Sequence, residues 1–386
     1  MVSFEFATAA RLLFGSGKLA ETPAALRAQG VRRALVATNL PGPGAERLRS
    51  LLVAAGIESV LLVVDHEPTV DLVSAGRAKI RREGCDAVVG LGGGSAMDTG
   101  KAVAALATNE GDLFDYLEVV GRGRPLQARP LPFVAIPTTA GSGAEVTRNA
   151  VISVPAAKVK VSLRSPYLLP ILTVLDPDLL VGLPQPVVAC SGLDALSHLL
   201  EALVSCRANP LTDALGAEGL RRSARALRRA YTSGLHADTR EDLMLASLCG
   251  GLCLANGGLG AVHGFAAPLG GMLHAPHGAL CAALLGPVME ANLRALAERE
   301  PEHPARARYR EIAEIVTGRH GAGADDGVAW VRDLCRALGV RGLGNHGLSA
   351  GDIPALVAKA KAASSMRGNP VQLSDEELGD IATHAL

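Results

Sequence analysis

Residues 86–101 read DAVVGLGGGSAMDTGK. An apolar run of strand character ends in Gly92-Gly93-Gly94, and a helix-forming stretch, AMDTGKAVAALATN, follows at once. Strands that alternate with helices in this way build parallel, helix-covered sheets. Glycines at such a junction let the backbone approach a phosphate, which free N–H groups and the helix dipole then hold. Taken alone, the run fits a tight turn equally well. Gly90, Gly92 and Ser95 only approximate the G-x-G-x-x-G fingerprint, and the run follows the third predicted strand, not the first. Ser95 and Asp98 also match a capping box, which would engage both at the helix start. Lys101, two turns in, either approaches a ligand or is solvated.

Further strands are predicted over 34–38, 59–64, 132–136, 149–154 and 172–175, with amphipathic helices over 44–55 and 70–84. The proline-rich DPDLLVGLPQP (176–186) marks a boundary between an α/β domain with a mostly parallel sheet, 1–180, and an all-α domain, 181–386. Helices are predicted in the latter over 211–231, 241–255 and 325–338. Strand 132–136 runs into a second loop, PTTAGSGAEVT (137–147), whose hydroxyls and glycines suit a pyrophosphate or ribose, or else an ordinary polar turn. Two such loops at strand C-termini favour a nucleotide. The chain has seven lysines against 31 arginines, and Lys101, Lys158 and Lys160 fall in or near these loops.

The 386 residues carry 38 basic and 38 acidic side chains, so nothing resembles the footprint of a nucleic-acid binder. Seven scattered cysteines without a C-x-x-C pair read as small buried thiols in a reducing compartment. The N-terminus lacks a signal-peptide layout, which points to the cytoplasm. Leu243–Met289 contains no Asp, Glu, Lys or Arg. Its prolines, glycines and histidines break any membrane span, and buried helices are expected instead.

Asp194 and His198, in GLDALSH, are i and i+4 and share one helix face. The pair is either a satisfied hydrogen bond or two metal ligands. His263, His274 and His277 lie inside the uncharged block. Two of these imidazoles with Asp194 and His198 would make a one-carboxylate, three-imidazole site suited to Fe(II) or Zn(II), with a position open for substrate.

With these motifs in place, the chain resembles the iron-containing (group III) alcohol dehydrogenases of the dehydroquinate-synthase-like fold. GGGSAMDTGK is similar to that family's GGGSxxDxxK, and PTTAGSGAEVT to its PTTxGTGSEVT. GLDALSHLLEALVS and the H-x13-H from His263 to His277 resemble its metal segments. The resemblance implies Asp194, His198, His263 and His277 as ligands, with Fe(II) first and Zn(II) second. It implies NAD or NADP held by Gly93, Gly94, Ser95, Thr138 and Thr139, with Asp98 of the same motif, Thr147 and Lys160 nearby. Where members often carry a further pocket histidine, four residues after the first H-x13-H ligand, stands Ala267. His274 is the replacement candidate for a catalytic proton relay, unless it merely packs. Where NAD-preferring members often have Asp near the adenine ribose stands Asn39, which does not repel a 2′-phosphate.

The implied reaction is reversible hydride transfer between a small alcohol and nicotinamide, the partner being an aldehyde or ketone. Alternatives are a polyol (glycerol-type) dehydrogenase, a metal-independent reductase, a dehydroquinate-synthase-like lyase, or a non-enzymatic nucleotide-binding protein. FEFATAARLLFGSGK resembles the family's edge strand and hairpin, often paired across a dimer, so a homodimer is expected.

Overall fold

In the computed structural model, which describes residues 3–39 and 42–386, the alternating first part forms a six-stranded parallel sheet. Its elements are β1 (Leu12–Phe14), α1 (Thr22–Ala28), β2 (Arg33–Thr38), α2 (Pro43–Ala54), β3 (Glu58–Val63), α3 (Val70–Glu83), β4 (Ala87–Gly92), α4 (Gly94–Thr108), β5 (Phe133–Pro137), β6 (Asn149–Val154), β7 (Val159–Arg164) and β8 (Leu172–Leu175). The sheet order is β1-β8-β5-β4-β2-β3. Alternate residues of each inner strand serve opposite cores. Leu35, Ala37 and Val88 meet Val73, Ile80 and Val103 on one face, while Ala34, Val36 and Val89 meet Leu26, Leu48 and Leu52 on the other. Burial on both faces explains why β4 and β5 read as unbroken apolar runs and why β8 is apolar apart from the buried Thr173. Each fully buried Val or Leu contributes roughly 1.5–3 kcal/mol.

Two expectations change. Strand 149–154 forms, but outside the main sheet, where it pairs antiparallel with β7. β7 is not among the predicted strands, although VKVSLR alternates apolar with polar residues as a half-buried strand does. The N-terminal segment supplies the expected edge strand but no hairpin. β1 pairs in parallel with β8, 161 residues away in sequence (Leu12 with Thr173), so its partner cannot come from a tight turn.

The described residues divide into two compact units, Ala7–Val181 and Gly182–Leu386, the latter with residues 3–6. The second unit is helical: α5 (Gln185–Val204), α6 (Pro210–Ser233), α7 (Ala237–Gly257), α8 (Ala261–Met272), α9 (His277–Arg299), α10 (Pro304–Thr317), α11 (Ala324–Ala337), α12 (Ile353–Ala362) and α13 (Asp375–His384). α5 packs against α6, α7 and α9 and is buried almost throughout from Val188 onward. α5 and α9 are long and apolar enough to cross a membrane, yet 83% and 61% of their apolar windows are buried inside the protein.

The first turn of α9 touches the backbone of α5. A Cβ on Gly278 would collide with the carbonyl oxygen of Cys190 and stand 3.2 Å from Asp194 Cβ. Gly278→Ala is therefore expected to destabilise the protein by about 1–3 kcal/mol, the usual range for overpacking. Denaturant unfolding measures this, and a cost under about 0.5 kcal/mol would mean that the two helices part freely.

Candidate metal centre and cofactor loops

α5 sets Asp194 and His198 one turn apart, α8 carries His263 in its first turn, and α9 begins at His277. These four side chains converge. Asp194 Oδ1 lies 3.7 Å from His198 Nε2, 3.6 Å from His263 Nε2 and 3.8 Å from His277 Nε2. The His198 and His263 rings stack with centroids 4.7 Å apart. Asp194 Oδ1 is buried and makes no hydrogen bond. A buried carboxylate oxygen left that way is costly, and an ion is one explanation. Donors each roughly 2.0–2.2 Å from a common ion stand a little over 3 Å apart, close to the spacing seen. One carboxylate with imidazoles suits a divalent transition metal.

The electrostatics agree. Burial works to raise the Asp194 pKa, but His198 and His277, with His263, hold it well below the usual carboxylate range. Burial alone would keep His263 and His277 neutral, yet Cys281 and Asp194 raise both pKa values. The pocket stabilises positive charge, which protons or a cation can supply. His277 is 38% exposed against 3% for His198 and 7% for His263, so the cluster opens on the His277 side. His274 is not brought in: it is exposed on the loop between α8 and α9 and no part of the donor cluster, and Ala267 is exposed as well.

Two residues of this cluster escaped the sequence reading. Glu201 is buried on α5; its Oε2 accepts the His263 Nδ1–H bond at 2.6 Å, and its Oε1 accepts from Val262 N–H at 2.6 Å. That bond sets the tautomer and turns Nε2 toward Asp194. Asp194, His198 and Glu201 are i, i+4 and i+7, a stripe that points to one face. Cys281 was counted among inert thiols, but its Sγ is 3.6 Å from Nε2 of both His263 and His277. It stands i+4 from His277, again one face of one helix. All seven cysteines are free, with Cys206 exposed and Cys190 and Cys335 half-buried.

In the α/β unit, α4 starts at Gly94 with Gly93 as N-cap and no side-chain cap. The capping box between Ser95 and Asp98 does not form: Asp98 Oδ2 instead accepts from Val151 N–H at 3.0 Å, joining α4 to β6. The half-exposed Gly93, Gly94 and Ser95 lie beside the second loop. A Cβ on Gly94 would be 3.0 Å from Ser142 Cβ, and Thr138 N–H donates to Gly92 O at 2.9 Å. Thr139 approaches Gly93. The uncapped helix start and two adjoining loops fit a pyrophosphate. Asn39, just after β2, accepts from Gly93 N–H at 2.6 Å and donates to Val64 O, so it clamps the glycine loop.

Other expected cofactor residues have partners within the protein. Lys101 is buried, neither solvated nor at a ligand: its Nζ donates to Thr147 O, Thr147 Oγ1 and Asn149 O at 2.8–3.0 Å. Thr147 is thereby engaged, and Lys160 pairs with Glu67. Burial pushes Asp98 up to about 6, Glu145 up to about 7 and Lys101 down to about 8.

A parallel sheet with phosphate-sized loops, and a helical unit with a buried carboxylate–imidazole cluster, are the parts of a metal-dependent, nucleotide-linked dehydrogenase. Residues 9–177 match the family model for iron-containing alcohol dehydrogenase, and residues 188–386 match that for the C-terminal part of the Fe-containing alcohol dehydrogenase family. The chain belongs to the iron-containing alcohol dehydrogenase family, and it is an oxidoreductase interconverting an alcohol and its carbonyl compound with a nicotinamide cofactor. It is 34% identical over 382 residues to alcohol dehydrogenase 4 of Schizosaccharomyces pombe, covering 97% of this chain and 87% of that one. A crystal structure of a 1,3-propanediol oxidoreductase superposes with a TM-score of 0.91 at 32% identity, each chain covered completely. Sulfoacetaldehyde reductase from Bifidobacterium kashiwanohense, solved with NAD+, does so at 0.87 and 26% identity, covering 100% and 99%. The lyase alternative is set aside.

Glu201→Gln is expected to weaken divalent-metal affinity 10- to 100-fold with little change in helix content, as loss of a ligand-orienting carboxylate does; competition against a chelator reads it. Glu145 gives a pH test. Its proton stays on in the folded chain up to about 7 but leaves near 4.5 when unfolded. The stability it lends is complete below the lower value and lost as pH rises to the upper. The Tm of Glu145→Gln minus that of wild type should therefore rise with pH across this window; a flat difference would refute the assignment.

Proposed function

We propose that Asp194, His198, His263 and His277 hold one divalent ion, Fe(II) first and Zn(II) second, and that NAD or NADP binds the loops after β4 and β5. The observation that carries this reading is Asp194 Oδ1, buried without a hydrogen bond and faced by three imidazole nitrogens at 3.6–3.8 Å. When bound, the ion supplies Lewis acidity toward an alcohol or carbonyl oxygen, and the nicotinamide accepts or returns hydride. The chain's own residues orient and select. Glu201 holds His263 in the tautomer that presents Nε2, and the exposed His277 marks the side on which a small alcohol or aldehyde enters. N–H groups of Gly94 and Ser95, with the hydroxyls of Thr138 and Thr139, bind the pyrophosphate; Asn39 keeps the glycine loop in shape. Asp98, Thr147 and Lys160 support the loops through bonds within the protein. His274, on the exposed loop, is left without an assigned catalytic role.

The substrate is a small alcohol, a class in keeping with the 1,3-propanediol and sulfoacetaldehyde relatives. The enzyme works in the cytoplasm, where seven free cysteines persist, and as a homodimer through the edge strand β1, whose outer side has no partner strand among the described residues.

Elemental analysis, with oxidation of NADH and NADPH against a panel of aldehydes and ketones, tests the reading. Asp194→Ala or His277→Ala should abolish metal binding and turnover while far-ultraviolet circular dichroism stays unchanged. Full activity of metal-stripped protein would sink it. Asn39→Asp keeps an acceptor for Gly93 N–H but adds a negative charge. It is expected to lower kcat/KM with NADPH about tenfold more than with NADH, equivalent to about 1.4 kcal/mol; equal losses would place the 2′-phosphate elsewhere.

A further inference from the structure

We propose that Cys281 is itself a donor to the ion, making the centre a mixed carboxylate, imidazole and thiolate site. The inference rests on the metal reading above and goes beyond the four expected ligands. Cys281 Sγ, His263 Nε2, His277 Nε2 and an Asp194 carboxylate oxygen all lie within 4.8 Å of one another, a set that does not include His198. The sulfur is 3.6 Å from each of the two imidazole nitrogens. With metal–sulfur bonds of about 2.3 Å and metal–nitrogen bonds of about 2.0–2.1 Å, sulfur and nitrogen at neighbouring positions on one ion, which can expand to five donors, stand roughly 3.1–3.6 Å apart. The sulfur can donate to one imidazole and accept from the other, and the same two spacings are those of donors that share one ion.

The surroundings hold this geometry in place. His263 Nδ1 is tied to Glu201, so Nε2 is the nitrogen that faces the sulfur. Cys281 is fully buried one turn beyond His277, and Gly278 between them presses against α5. Asp194 Oδ1, also buried, supplies an oxygen that makes no hydrogen bond and faces the same imidazoles. On coordination the sulfur lone pair forms the bond to the ion and the S–H proton passes to solvent; nothing is oxidised or reduced. A thiolate is a soft donor, so the site favours Zn(II) over harder cations more than a carboxylate–imidazole set does.

The test is stripped protein reloaded with Co(II) and followed by absorption spectroscopy. The expected result is a set of visible ligand-field bands plus a near-ultraviolet sulfur-to-cobalt charge-transfer band. Cys281→Ser should lose the second while keeping the first, and should bind Zn(II) at least tenfold more weakly with a smaller change for Mn(II). Ligand-field bands without a sulfur band in the wild type, or a sulfur band that survives in Cys281→Ser, would overturn the role of Cys281 and leave the metal centre standing. No cobalt uptake at all would overturn both. X-ray absorption of the zinc-loaded wild type gives the same decision without a variant. A sulfur neighbour at about 2.3 Å supports the proposal, and a shell of nitrogen and oxygen alone refutes it.

Discussion

The contact between Gly278 and the backbone of α5 at Cys190 is the constraint on which the helical unit's chemistry depends. Asp194 and His198 belong to α5, while His277 and Cys281 belong to α9, and no short segment of chain links the two pairs. At the start of α9 the backbone comes too close to the Cys190 carbonyl for any side chain. Only a residue without Cβ permits that approach, and it sits directly after His277. The glycine-rich composition therefore has a local meaning here. One glycine sets the distance between two helices, and that distance sets the donor geometry.

The same economy governs the α/β unit in reverse. The helical unit gathers donors for a cation in surroundings stripped of competing charge. The loops after β4 and β5 gather N–H groups and hydroxyls for an anion. Gly93 and Gly94 leave the start of α4 uncapped, and Asn39 occupies one of its N–H groups to fix the loop. Behind it, Lys101 uses its three donors on Thr147 and Asn149. A buried lysine with Asp98 and Glu145 close by stiffens the loop from inside, so residues that look like ligands in the sequence also hold the loop in place.

How much of this was legible depended on the range of each signal. Strands 34–38, 86–91 and 132–136 are buried on both faces, so their apolar runs announce them and the parallel sheet with them. Asp194 and His198, and His277 and Cys281, are spaced at one helical turn, a local pattern; Cys281 was passed over only because a buried cysteine is usually inert. β1 gave no hint of its pairing with β8, because that contact spans 161 residues and leaves no mark on a three-residue segment. Whether Lys101 and Asp98 face a ligand or the core depends on β6 lying across α4, which no spacing within the motif encodes. Glu201 lies between these cases, since its position on the stripe was visible but its bond to His263 needed the fold.

The uncharged block from Leu243 to Met289 has its explanation in the energetics of Asp194. A carboxylate taken out of water costs several kcal/mol unless charge of opposite sign is close. No lysine or arginine in that block can provide it, so the imidazoles and whatever they bind must. Protons serve when no ion is present, which is why His263 and His277 hold theirs more firmly than usual while Asp194 gives its own up. An ion and those protons compete for the same nitrogens. An arginine nearby would have satisfied Asp194 permanently and left no demand for a metal. By excluding such charges, the sequence keeps the buried Asp194 carboxylate in want of a cation.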